Sequence, residues 1–326
     1  MVDETVVRDV LSRVVPDVEV VAVDPADWGN TKRTALVTLA DGREVVVQYR
    51  ARDAGGLATE AELTRAIGER TDVPIPAVLG VEQTGEYAAV VTARVPGADL
   101  HERFESLSPA RRTTLARTLG DHLAAVHDAF AFEGYGPVTH RDGSFAVADP
   151  TTDWPGWLGD YLERALGRLD GPLADLVGPV RETFAAHRDR LPVSPPARLF
   201  PWDFRPGNVI VAETDASVAA VLDWGDPLAA ARGLALAKAE FLLADWYAEG
   251  EAVVRLRTAF RDGYRARLSL PPDFEATRSL YRLVAVAASA VDAAGRVTRP
   301  RFPMVDDAAA VAFHRDHLDA LLADLA

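Results

Sequence analysis

Cysteine is absent from the 326 residues. That excludes a disulfide framework, a cysteine nucleophile, a Cys-ligated zinc site and an iron–sulfur cluster. Lysine is nearly absent as well: among 35 basic residues only Lys32 and Lys238 are lysine. No apolar run approaches the ~18 residues that a membrane span needs. The opening decapeptide MVDETVVRDV is too acidic and amphipathic for a secretion signal. The expectation is a soluble cytoplasmic protein with no membrane partner. Clustered cations are missing too. Acidic residues number 49 against the 35 basic ones, which leaves a net charge of −14 and a pI near 5.0. Phosphate backbones demand positive patches, so nucleic acid is not an expected partner. An Asp-rich, Lys-poor chain fits a halophilic cytosol, where salt screens self-repulsion. GC-rich codon usage gives the same composition.

The chain is long enough to bury a large core without staples, and its length suggests two domains. Residues 3–14 read as a short amphipathic helix. Strands follow at 18–24, 34–39 and 43–50, the last two joined by the hairpin signal Asp41-Gly42. Residues 57–70 carry helical spacing. The two prolines of VPIPAVLGVEQ (73–83) allow an edge strand at most, and 87–95 is a further strand. From about residue 108 the pattern is helical, over 109–129, 157–170, 173–190, 232–248, 251–267, 275–294 and 307–325. One β-rich island interrupts it, with strands at 198–202, 208–213 and 217–224. A β-rich first third before a helical remainder predicts two lobes, 1–95 and 96–326, meeting near Pro96-Gly97.

The island FPWDFRPGNVIVAETDASVAAVLDWGD (200–226) holds the chemistry. Asp203 lies in a loop, Asn208 starts the next strand five residues on, and Asp223 ends that strand's partner. An antiparallel hairpin brings Asn208 and Asp223 together, with Asp203 on the loop leading in. Two carboxylates and an amide oxygen are hard donors suited to Mg²⁺ and its bridging phosphates. A carboxylate free of metal can accept a hydroxyl proton.

These residues resemble the aminoglycoside phosphotransferase and choline kinase-like branch of the protein-kinase-like fold, whose pattern is H-G-D-x-x-x-x-N, a hairpin, then I-D-W or D-F-G. The match is Asp203 to Asn208, then Leu222-Asp223-Trp224-Gly225-Asp226, and the Asp-to-Asn spacing is that of a kinase catalytic loop. DVPIPAVLGVE (72–82), VVTARVPGADL (90–100), LAAVH (123–127), DWPGWL (153–158) and FRDGY (260–264) look like further family landmarks, so the likeness runs over nearly the whole chain. It implies an α+β, two-lobed protein-kinase-like fold, with a small antiparallel-sheet nucleotide-binding lobe and a large helical lobe for catalysis and acceptor. It also implies an ATP- or GTP-dependent, Mg²⁺-dependent phosphotransferase acting on a small-molecule hydroxyl. Asp203 would be the base, Arg205 would neutralise the phosphoryl group, and Asn208 and Asp223 would hold Mg²⁺.

The chain departs from the pattern in places. Pro201-Trp202 replaces the His-Gly before the base. The strand-three lysine aligns with Gln48, with Arg50 two residues on along the same face, and its helix partner would be Glu60. The nucleotide loop 28–34 has a single glycine, leaving Gly29, Asn30 and Thr31 to offer amides to phosphate. Thr92 and Arg94, in the hinge-like segment, complete the nucleotide set. A family Asp looks replaced within 229–236. The weak glycine loop and Gln48 motivate an alternative, a nucleotide-binding pseudokinase acting as sensor or scaffold; the survival of Asp203, Asn208 and Asp223 argues against it. Trp154, Trp157, Trp246 and Tyr247 line either the acceptor cleft or the core. His127 is expected to be structural, as in relatives. The seven histidines form no metal set, and His314 and His317 are expected on a solvated helix face. The net charge favours a cationic acceptor, although salt adaptation explains it equally.

Overall fold

The computed structural model describes residues 2–26, 32–51, 55–300 and 305–326. Gly29, Asn30 and Thr31 lie outside the described residues. Helix α1 (Glu4–Val14) is capped by Asp3, whose carboxylate accepts from Thr5 N at 2.9 Å. Then come β1 (Val20–Ala26), β2 (Arg33–Leu39), β3 (Glu44–Ala51), α2 (Gly56–Arg70), β4 (Val78–Gln83) and β5 (Tyr87–Ala93). The five strands form one antiparallel sheet in the order β1-β2-β3-β5-β4. The segment VPIPAVLGVEQ supplies the edge strand β4, which begins only after its two prolines, Pro74 and Pro76. Asp41-Gly42 turns the β2–β3 hairpin, with Gly42 at φ +85°, open to glycine at no steric cost.

Alternation sorts the sheet's two faces. Ala35, Val37, Leu39, Val45, Val47 and Tyr49 pack with Val7, Val10 and Leu11 of α1. The opposite face carries Thr34, Gln48 and Arg50 and takes α2 through Leu57 and Ala61, packed on Ala88 and Val90 of β5. The other side of α2, Leu63, Ala66 and Ile67, belongs to the core of the large lobe.

The second part opens with β6 (Ala98–Asp99), the single turn α3 (Leu100–Arg103) and α4 (Pro109–Ala129), started by Ser108 as N-cap. Next are β7 (Ala131–Phe132), β8 (Gly136–Arg141), β9 (Ser144–Val147), α5 (Trp154–Leu166) and α6 (Val177–His187). Then follow β10 (Ala197–Phe200), β11 (Val209–Val211), β12 (Val218–Val221), β13 (Leu228–Ala231) and α7 (Arg232–Glu240). The chain ends with α8 (Glu251–Arg267), α9 (Phe274–Ser289) and α10 (Asp307–Leu325). Two small sheets, β7-β10-β13-β8-β9 and β12-β11-β6, sit among the helices. Strands β6, β7, β8, β9 and β13 are additional to the sequence reading.

Helix 232–248 is also interrupted. Phe241–Asp245 is π-helical, a feature that often marks functional sites. Buried carboxylates hold this region. Glu240 accepts from Arg261 at 2.6 Å and Arg278 at 2.8 Å, and Asp245 pairs with Arg257, Arg282 and His317. His317 thus serves the interior, and His314 is buried against Thr298 rather than on a solvated face. His127 is buried with Nδ1 2.8 Å from the Tyr264 hydroxyl; burial, aided by Arg232 and Arg198, pushes its pKa down to about 3. Helices α4 and α8 approach at Gly120 and Gly263, where a Cβ would stand 1.9 Å from the Phe260 carbonyl oxygen and 1.8 Å from that of Arg117.

Candidate active site

The loop between β10 and β11 carries Asp203. Its Oδ2 accepts from Arg205 Nε at 2.7 Å, and its backbone carbonyl accepts from Asn208 Nδ2 at 2.8 Å. The second bond fixes the Asn208 amide, leaving its oxygen to point elsewhere. Val209 pairs with Val221 across the hairpin, and Leu222 N donates to the Asn208 carbonyl at 2.7 Å. Asp223 follows immediately in the left-handed region, φ +59°, a conformation that aspartate tolerates better than most residues. One of its oxygens accepts from Lys32; the side chain keeps 46% of its surface exposed. An amide oxygen and a carboxylate on adjacent strand ends fit a hard divalent cation.

The ammonium bonded to Asp223 belongs to Lys32, while Arg50 also pulls on the Glu60 carboxyl. Gln48 donates to Thr34 Oγ1 at 3.4 Å, and the Arg50 guanidinium lies 3.9 Å from Asp226. Lys32, just before β2, instead places Nζ 2.5 Å from Glu60 and 2.8 Å from Asp223. The register explains the exchange. Thr34 pairs with Gln48 and Arg33 with Tyr49, so position 32 continues opposite position 50, on the cleft face. A lysine there addresses the same helix glutamate from the neighbouring strand. Burial works to lower the Lys32 pKa, but Glu60 and Asp223 more than offset it and hold the amine protonated. Burial raises the Glu60 carboxyl against the pull of Lys32. Burial also works to raise Asp223, yet Lys32 wins and its pKa falls. Glu60 is where the sequence placed it, on α2 and buried. Thr92 pairs with Val46 and Val78 on β5, and Arg94 is tied to Glu44 at 2.8 Å on the exposed side of the sheet.

Behind Asp203 runs an aromatic row. Trp154 stacks on Trp157, Trp157 on Tyr161, and Tyr161 meets Trp202 edge-on at 5.6 Å. Trp154 and Trp157 are core residues. Trp246 and Tyr247, delivered by the π-helical turn, reach the loop: Arg205 lies 5.5 Å over the Trp246 ring, and the Tyr247 hydroxyl is 2.6 Å from His101 Nδ1. The second lysine is here too. Lys238 of α7 is 3% exposed, with Nζ 3.9 Å over the Trp202 ring and 5.7 Å from that of Phe200. Its signal was the scarcity of lysine itself. Elsewhere, Asp72, Asp121 and His122 stand close enough to share a metal ion, but Arg267 already bonds both carboxylates.

The fold and this site define a class, that of two-lobed protein-kinase-like proteins. The chain belongs to the phosphotransferase enzyme family, whose model matches residues 22–275. No curated protein matches the chain. Among solved structures, it resembles aminoglycoside 2'-phosphotransferase-IIIa, captured with GDP, at 15% identity and TM-score 0.62 over 99% of both chains. It also resembles a candidate fructosamine-3-kinase of Thermobifida fusca at 22% identity and TM-score 0.60, covering 95% of this chain and 98% of that one. A microcompartment-associated aminopropanol kinase aligns at 16% identity and TM-score 0.58, over 99% and 98%. At these identities the likeness is one of fold.

Proposed function

We propose that the protein transfers the γ-phosphoryl group of ATP or GTP to a hydroxyl of a small molecule. The observation that carries this reading is the Lys32 ammonium bonded at once to Glu60 and Asp223, a few residues along the hairpin from Asn208 and Asp203. In phosphoryl transfer the protein chiefly positions groups and stabilises charge. Lys32 would neutralise nucleotide phosphates, anchored by Glu60. Asn208 and Asp223 would hold Mg²⁺, which supplies charge neutralisation at the phosphates. Asp203 would orient the acceptor hydroxyl and take its proton, and Arg205 would keep that carboxylate in place and face the transferred group. Lys32 weighs against the pseudokinase alternative, since it brings the cation that Gln48 lacks.

The test is nucleoside diphosphate release with ATP or GTP and Mg²⁺ across a panel of hydroxyl acceptors, in wild type and in Asp203→Asn. Asparagine keeps the shape but cannot take a proton. Turnover should fall about 10²–10⁴-fold, with nucleotide Kd by calorimetry unchanged. Wild-type turnover in the variant would make Asp203 a turn residue.

A further inference from the structure

Three hydrogen-bond donors gathered around Trp202, next to Asp203, have no acceptor among the described residues. Lys238 Nζ has no hydrogen-bond acceptor among the described residues and rests on the Trp202 face. The Tyr161 hydroxyl, on the ring that meets Trp202 edge-on, is enclosed without a partner. So is the Nε of Arg168, two residues past the end of α5, whose charge acts on both the Tyr161 hydroxyl and Lys238. Unpaired enclosed donors are costly and uncommon in folded proteins. The charges do not balance either. Arg168 and Arg205 both repel the Lys238 ammonium, and Asp203 is the carboxylate that attracts it; that carboxylate is already bonded to Arg205. In a chain of net charge −14, this corner of the cleft carries uncompensated positive charge.

We infer that the acceptor carries an oxyanion group, a carboxylate or a phosphate, seated on Lys238, Arg168 and Tyr161 while its hydroxyl meets Asp203. An oxyanion only accepts, and so satisfies all three donors together through charge-assisted bonds. Trp202 has a place in this: its ring supports the ammonium from below, which the smaller residue of the family pattern would not do. The inference reverses the expectation from net charge, because local charge, not the total, meets the ligand. It rests on the phosphotransferase reading for the role of Asp203, but the oxyanion seat is tested separately.

The experiment compares glycerol, glycerate, glycerol 3-phosphate and an aminoglycoside, in wild type, Lys238→Met and Arg168→Gln. Calorimetry without nucleotide measures binding, and diphosphate release measures turnover. Wild type should bind glycerate or glycerol 3-phosphate at least tenfold tighter than glycerol, the two arms telling carboxylate from phosphate. Both variants should lose that margin, and the aminoglycoside should not compete. Equal binding of glycerol and its anionic analogues, or a margin that survives both variants, overturns the inference. Anion binding lost in the variants, with no diphosphate release from any compound, would support the seat and count against the phosphotransferase reading.

Discussion

Lys32 bonds Glu60 and Asp223, while Gln48, two strand positions from the cleft end, bonds Thr34. The sequence aligns Gln48 with the usual lysine, while the structure puts the ammonium on the adjacent strand, across the same cleft face. Lys32→Met should therefore lower kcat/KM by about 10²-fold, the scale of losing one preorganised charge at a phosphoryl group. Adding Gln48→Lys in that background should return part of the loss, since both positions address the Glu60 side of the sheet. Steady-state kinetics of the single and double variants decide it; no recovery would mean that position 48 does not reach the phosphates. Lys238 has a thermodynamic signature as well. Burial, with Arg168 and Arg205, outweighs Asp203 and brings its pKa down from 10.5 to about 8. Near neutral pH the native state holds a proton at a cost that the unfolded chain does not bear. Lys238→Met, similar in volume, should gain about 1–3 kcal/mol at pH 7. That gain should shrink between pH 8 and 10.5, where native Lys238 has released its proton and the unfolded lysine has not, so wild-type stability rises. Urea denaturation at pH 7 and 9.5 measures both values.

At the scale of elements, what the sequence made legible followed its strongest periodicities. Helix 251–267 and the hairpin at Asp41-Gly42 match the structure because spacing and turn chemistry agree there. Strands β6 to β9 and β13 escaped because they are two to six residues long, too short for alternation to register. Asp142-Gly143, a signal the sequence reading did not use, turns β8 into β9. The π-helical turn left no periodic trace, yet it carries Trp246 and Tyr247 to the loop. The three acidic and amide residues were legible by spacing alone, whereas Lys32 was not, since its partners lie 28 and 191 positions away. The α4–α8 contact shows what composition hides. Gly120 and Gly263 let two backbones touch, so Gly263→Ala must push the helices apart and should cost about 3 kcal/mol. Gly178→Ala on α6, where a Cβ meets nothing within 4 Å, should instead be neutral or gain up to about 1 kcal/mol from helix propensity. Thermal denaturation of the pair separates crowding from propensity.

For the whole molecule, α2 is the joint. One side packs on the small sheet through Leu57 and Ala61, and the other lies in the large lobe's core. Lys32 ties the sheet to α2 and to the hairpin, its ammonium spanning Glu60 and Asp223. The scarcity of lysine gives this arrangement a use in covalent chemistry. Both ε-amines of the chain stand in the same cleft, so an amine-acylating reagent marks the cleft and little else beyond the α-amine. Burial eases proton loss from Lys238, while Lys32 is held protonated by its carboxylates. Peptide mass spectrometry of a timed acylation should find Lys32 shielded by nucleotide and Lys238 shielded by an anionic acceptor. The ratio of the two rates would then report, from one unmodified protein, which of the two ends of the site is occupied.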